Sequence, residues 1–115
     1  RGERMRKTEI VKKIEKFIIK HDLHHDVRIY FNDKAWCYNS RGQKTVEKEV
    51  SATDYLEYGN NDTISMSFEG GLYNVLNFYW ENKHYEKLWN EFTAIFDEYD
   101  CFYELGNAWN LSVYE

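Results

Sequence analysis

The chain predicts an α+β fold, a mostly antiparallel sheet with two main amphipathic helices packed against it. Three observations carry this. Between His84 and Tyr99, the residues Tyr85, Leu88, Trp89, Phe92, Ile95, Phe96 and Tyr99 recur at steps of three, one, three, three, one and three. That spacing sets large apolar side chains on one helical face, and most of them are aromatic, so the face needs a broad apolar partner such as a sheet. Elsewhere the period changes to two. Val27, Ile29 and Phe31 alternate with Arg28 and Tyr30, and Ile64, Met66 and Phe68 alternate with Ser65 and Ser67.

Taken in order, Thr8 to Lys20 reads as the first amphipathic helix. Ile10, Val11, Ile14, Phe17 and Ile18 form its apolar stripe, and Arg6, Lys13, Lys16 and Lys20 line the far side. Its basic last turn suits the negative end of the helix dipole, and Leu23 is expected to return to the core. From Asp26, a first strand runs to a tight turn at Asn32-Asp33. A second strand, Lys34 to Asn39, and a third, Lys44 to Val50, flank a turn at Ser40 to Gln43. Glu47, Lys48 and Glu49 mark the third as a charge-guarded edge. Ser51 or Thr53 is expected to cap a short helix through Tyr58, closed by Gly59. Thr63 to Glu69 is a strand broken by Gly70-Gly71. Leu72 to Trp80 reads as a short helix, since Leu72, Val75, Leu76 and Tyr79 fit helical spacing, with a strand as the alternative. The stripe helix ends at Asp100. Phe102 to Leu105, a Gly106-Asn107 turn and Ala108 to Tyr114 then predict a hairpin.

A chain of 115 residues fits one domain, residues 1–115, with residues 1–4 reading as a cloning remnant ahead of a start at Met5. No stretch reaches transmembrane length, and no leader pattern opens the chain. Cys37 and Cys101 lack CxxC spacing, so reduced thiols and a cytoplasmic location are expected, although a disulfide between them stays open.

Charge divides the chain. Residues 1–50 hold 13 Lys and Arg against 8 Asp and Glu, residues 51–115 hold 2 against 12, and the net charge is −5. The acidic half also carries eight of the ten tyrosines. Carboxylates mixed with aromatics suit a protein-binding face and disfavour a nucleic-acid phosphate as ligand. An acidic, tyrosine-rich surface is also common on domains that bind nothing.

Asp62 to Asn77 (DTISMSFEGGLYNVLN) and Glu104 to Ser112 (ELGNAWNLS) resemble segments of small uncharacterised proteins carried by bacterial mobile elements. The resemblance covers about a quarter of the chain. It implies roles found among such proteins, inhibition of host defence included, and it supplies no catalytic residue.

Several constellations could carry chemistry. His21, His24 and His25, with Asp22 and Asp26, are the candidate metal ligands, because two imidazoles three apart can share a helical face. Histidines beyond a helix end are ordinarily solvated and favoured by the dipole. No further ligand is obliged to join, so neither metal nor other cofactor is expected. Cys37 and His84 could pair as nucleophile and base, but Cys37 falls in a strand, where a small buried thiol is the ordinary reading. Glu81 and Lys83, with Asp62, form the E-x-K pattern of metal-dependent nucleases, but here the triplet opens a helix. The cations of the first helix could touch nucleic acid, although Glu9 and Glu15 interrupt them.

What remains is a surplus of aromatics, among them Trp36, Tyr55, Tyr58, Trp80 and Tyr103, of the kind protein interfaces use as anchors. The expected function is therefore non-enzymatic: a small acidic domain that binds a protein partner through Asp54, Tyr55, Glu57, Tyr58, Asp62, Trp80 and Tyr103. A sharper version is an inhibitor whose carboxylates take the place of phosphates in a basic groove of its target. The alternatives are a small-molecule site between the sheet and Leu72 to Trp80, and nucleic-acid contact through the basic first helix. No membrane association is expected.

Overall fold

The structure, a computed structural model, describes residues 2–115, without the side chain of Glu3. Arg1, the first residue of the expected cloning remnant, lies outside the described residues. The elements run α1 (Gly2–Lys20), β1 (Val27–Phe31), β2 (Lys34–Tyr38), β3 (Lys44–Lys48), β4 (Ser65–Phe68), α2 (Gly71–Phe78), α3 (Lys83–Glu98), β5 (Phe102–Asn107) and β6 (Asn110–Tyr114). The six strands form one sheet in the order β3-β2-β1-β4-β6-β5, antiparallel at every pairing. This is the α+β architecture that the hydrophobic periods predict.

One face of the sheet carries the main core. Val27 and Ile29 of β1, Met66 and Phe68 of β4, and Leu111 and Val113 of β6 meet three helices. From α1 come Ile10, Val11, Ile14, Phe17 and Ile18; from α2, Leu72, Val75 and Leu76; from α3, Leu88, Phe92 and Phe96. The α3 stripe is thus buried along its centre, while Tyr85, Trp89, Ile95 and Tyr99 flank it half-buried. Phe92 packs against Phe17, Phe96 and Tyr103 at ring-centre distances of 5.6, 5.1 and 5.2 Å.

Both long helices end alike. The Leu23 N–H donates to the Ile18 carbonyl and the Asp22 N–H to that of Ile19, with Asp22 at φ 56°. At the end of α3, Cys101 and Asp100 repeat the pattern on Phe96 and Asp97, with Asp100 at φ 55°. Each is a Schellman stop with an aspartate in the left-handed position. The start of α3 is equally defined: the Asn82 side chain accepts hydrogen bonds from the N–H groups of His84 and Tyr85.

Four expectations need correction. α1 begins at Gly2, six residues before Thr8, whose hydroxyl bonds back to the Arg4 carbonyl at 2.8 Å inside the helix. The Ser51 segment makes only a single tight helical turn at Ala52–Asp54, and the Ser51 hydroxyl accepts no capping hydrogen bond. β3 stops at Lys48, because Glu49 turns to φ 59°. The β5–β6 turn lies at Ala108-Trp109 rather than Gly106-Asn107, since Asn107 Oδ1 accepts the Trp109 N–H at 3.0 Å and closes the turn there. The β1–β2 turn is as expected, with Asn32 and Asp33 at φ 55° and 60°. Leu72 to Trp80 is helical, α2 followed by one tighter turn at Tyr79–Glu81.

Truncating Phe92 to alanine removes a fully buried ring from the middle of this core. We expect a loss of about 3–5 kcal/mol in a denaturant titration. A loss under about 1 kcal/mol would place that face outside the core.

Candidate functional site

The other face of the sheet is polar at its centre and, around Ser65 and Ser112, is covered by chain rather than by water. Ser65, Asn110 and Ser112, on β4 and β6, are buried. Residues 50–62, the connection from β3 to β4, cross this face as a strap. The strap buries Ala52 and Leu56 in a small second cluster with Tyr30, Ala35 and Cys37.

Polar contacts hold the strap in place. The Ser65 and Ser112 hydroxyls meet at 2.7 Å, the Asn60 N–H donates to Ser65 Oγ at 2.9 Å, and Ser112 Oγ donates to the Tyr58 carbonyl at 3.3 Å. Asn61 closes the strap on itself by donating to Thr53 Oγ1 at 2.8 Å. Gly106 of β5 lies directly beneath Tyr58, and an added Cβ would overlap the Tyr58 side chain. Its role is this close approach, not the hairpin turn that the Gly106-Asn107 pair suggested.

Of the residues expected to bind a partner, Asp54, Tyr55, Glu57, Tyr58 and Asp62 share this strap, and all are exposed. Tyr55 is 57% and Tyr58 50% exposed, large values for aromatic rings in a small domain. Tyr55 stacks on Tyr30, with ring centres 6.2 Å apart and an interplanar angle of 20°. Among the described residues, none of the three strap carboxylates makes an ion pair.

Trp80 and Tyr103 do not join them. Trp80, although 64% exposed, follows α2 in the helical layer, edge-on to Tyr79. Tyr103 faces the main core, its ring against Phe92 and Phe96, and burial pushes its hydroxyl above the usual range. Trp36 likewise packs against the main core.

Two open clefts flank these surfaces. One of about 500 Å³ lies beside the strap, between Arg28, Tyr30, Tyr55, Ser67, Glu69 and Trp109. The other, also about 500 Å³, lies between the helices and edge strand β5, lined by Leu76, Tyr79, Trp89, Phe102, Tyr103 and Leu105. The second is where the small-molecule alternative placed a site. It is an apolar groove at the end of α2.

The nucleophile pairing does not form. Cys37 sits under the strap, its thiol donating to Glu47 Oε1 at 3.3 Å, whereas His84 opens α3 in the helical layer. Burial first, and the Glu47 carboxylate second, push the Cys37 thiol up to about 11, so it is a poor nucleophile near neutrality. Cys101 belongs to the main core and is also held up by burial. Both cysteines are free, on opposite faces of the sheet. The E-x-K triplet has no strand: Glu81 closes a tight helical turn and Lys83 opens α3.

Two of the seven α1 cations are engaged within the chain. Arg6 pairs with Glu115 at 2.8 Å and Lys13 with Glu98 at 2.7 Å. Glu15 takes Lys44 at 2.9 Å and accepts the buried Tyr38 hydroxyl.

The three candidate metal histidines separate into two groups. His21 bonds Glu91 of α3 at 2.8 Å. His24 and His25 turn the other way and meet Asp22, and the ligand atoms of these three lie within 4.8 Å of one another.

No family model matches the chain, and neither does any curated protein or solved structure. No helix among the described residues is long and apolar enough to cross a membrane.

Two outcomes follow from this geometry. Gly106→Ala should cost about 1–3 kcal/mol, because the new methyl must push Tyr58 and the strap outward. A change under about 0.5 kcal/mol in denaturant titration would mean that the strap does not seat on β5. In the folded protein at pH 8, Cys37 should be alkylated about a hundredfold more slowly than an unperturbed thiol, because a thiol pushed up to about 11 holds that much less thiolate. The rate should climb as pH approaches 11 and become ordinary on unfolding. Rapid labelling of Cys37 at pH 8, read by peptide mass spectrometry, would show that its burial is wrong.

Proposed function

We propose that this chain acts by binding a protein partner in the cytoplasm through the 50–62 strap, and not by catalysis. The observation that carries this reading is one held segment that presents Asp54, Glu57 and Asp62 without ion-pair partners beside two half-exposed tyrosines. A strap pinned by the Ser65–Ser112 pair loses little freedom on binding, which favours affinity. Tyrosine rings supply contact area at low entropic cost, and free carboxylates steer encounter with a basic surface.

In its sharper form, the target is a nucleic-acid-binding protein of host defence, and the strap carboxylates occupy positions that phosphates would take. The likeness of Asp62 to Asn77 and Glu104 to Ser112 to segments of mobile-element proteins supports this form. So does the spatial arrangement, since the two segments include β4 and β6, which pair directly beneath the strap. The apolar groove at the end of α2 favours a second reading, a small ligand held between the sheet and Leu72 to Trp80. Nucleic-acid contact through α1 has less support, because Arg6 and Lys13 are already paired.

The test uses a partner co-purified from the native host and measures binding kinetics at low and physiological salt. Reversing Asp54, Glu57 and Asp62 to lysine should slow association by about tenfold or more and flatten its salt dependence. Tyr55→Ala and Tyr58→Ala should leave association nearly intact and speed dissociation. Double-stranded DNA should compete with the chain for the target if carboxylates stand in for phosphates. An association rate and salt slope untouched by the charge reversals would remove the strap as the recognition face.

A further inference from the structure

We propose that Asp22, His24 and His25 form a site for a divalent transition-metal ion, with zinc as its natural probe. This inference is independent of the strap, and it runs against the expectation of no metal drawn from sequence.

The first observation is convergence. Asp22 Oδ1 lies 3.0 Å from His25 Nε2 and 4.0 Å from His24 Nδ1. Those separations are close to the edge of a tetrahedron around an ion bound at about 2.0–2.1 Å. All three ligand atoms lie within 4.8 Å of one another, and the exposed Asp22 side chain is free to adjust.

The second observation is an unmet demand for a cation. The His25 ring is held between two oxygens, with Nδ1 at 2.9 Å from the Ser40 carbonyl and Nε2 at 3.0 Å from the Asp22 carboxylate. A neutral imidazole carries one N–H, so in either tautomer one ring nitrogen turns a lone pair toward an oxygen lone pair. Two states relieve this. A second proton makes the ring a double donor, or Nδ1–H donates to Ser40 while Nε2 and the carboxylate share a metal ion. The second state has the arrangement typical of metal-bound histidine, in which the other ring nitrogen donates to a backbone carbonyl and so fixes the tautomer.

The third observation is His24. Its Nδ1 is buried and has no hydrogen-bond partner, and the nearby acidic atom is the same Asp22 oxygen. The ring is wedged beneath Gly42, where an added Cβ would come within 2.7 Å of Nε2, and it stands edge-on to Tyr38 at 5.7 Å. It is therefore a pre-positioned nitrogen with an unused lone pair or proton, not a freely solvated side chain.

Two imidazoles and one carboxylate favour zinc, nickel, cobalt or copper over magnesium or calcium, which take oxygen ligands. Asp22 is largely exposed, so the remaining coordination positions open to water or to a donor from outside the chain.

The test titrates zinc, and separately cobalt, into the untagged, metal-stripped chain at pH 7.5, with calorimetry for zinc and visible absorption for cobalt. One equivalent should bind, with the ligand-field bands of low-coordinate cobalt. His24→Ala and Asp22→Asn should each weaken zinc binding by more than about tenfold. Asparagine tolerates the left-handed backbone of residue 22, so that variant keeps the fold even if the His24 variant does not. His21→Ala, which touches Glu91 instead, should bind as the parent does. Binding weaker than that of free imidazole, a parent-like affinity in Asp22→Asn, or an equal loss in His21→Ala would each overturn the site.

Discussion

Strands β4 and β6 are covered on both faces, and the two covers obey opposite chemistry. Toward the helices, Met66, Phe68, Leu111 and Val113 are buried among apolar side chains, and shape is the only requirement. Toward the strap, Ser65, Ser112 and Asn110 are just as buried, and burial of a hydroxyl or amide is tolerated only where it is hydrogen-bonded. The Ser65–Ser112 contact and its links to Asn60 and Tyr58 meet that demand for the serines, and Asn110 donates Nδ2–H to the Met66 carbonyl while its Oδ1 stays without a partner. The position of the strap is therefore set by direction-dependent bonds as well as by its small apolar cluster. Once it is placed, the outward side chains of residues 54–58 have no freedom to fold back into a core already filled.

Alternation in β4 told which residues share a face, and the structure keeps that division. What alternation does not tell is whether a polar face meets solvent or a second layer of chain. Ser65 and Ser67 look the same in either case. The strap itself has weak local signals, because its order comes from contacts with Ser65, Ser112 and Gly106, which lie far away in sequence. The same cause displaced the last hairpin turn. Gly106-Asn107 has the composition of a turn, but a tertiary approach by Tyr58 claims the glycine, and the asparagine closes the next turn instead. By contrast, the α3 stripe, the Asn32-Asp33 turn and the stop at Asp100 depend on near neighbours, and each was readable.

The candidate residues divide along the same line. Asp54 to Asp62 are contiguous, so a reading that found one found the group. Tyr103 shows the limit of counting aromatics: it alternates with exposed Phe102 and Glu104, and only the strand order tells that its side faces Phe92. For the histidines, a shared helical face and a helix end at Lys20 were competing readings, and the structure follows the helix end. A shared face for His21 and His24 requires the helix to continue, but Asp22 in the left-handed conformation ends α1 and turns the chain. His21 is left facing α3, while His24 and His25 move toward the Asn39–Gly42 turn.

The charge asymmetry between the two halves also acquires a structural meaning. Basic α1 lies against acidic α3 and the C-terminal residue, and Arg6–Glu115 and Lys13–Glu98 cross that boundary. Exposed pairs of this kind contribute little stability, because solvent screens them. Their larger effect is on the surface potential, because each pair cancels its own long-range field. A chain whose acidic half neutralised its basic half throughout would show partners almost no field. The strap lies on the opposite face of the sheet from α1, and no cation of α1 reaches its carboxylates. Three unpaired carboxylates thereby remain on a segment that also exposes two tyrosines. Net charge alone would spread that −5 over the whole molecule. Topology instead keeps Asp54, Glu57 and Asp62 out of reach of the α1 cations, so the strap retains a local negative field of its own, whatever the total.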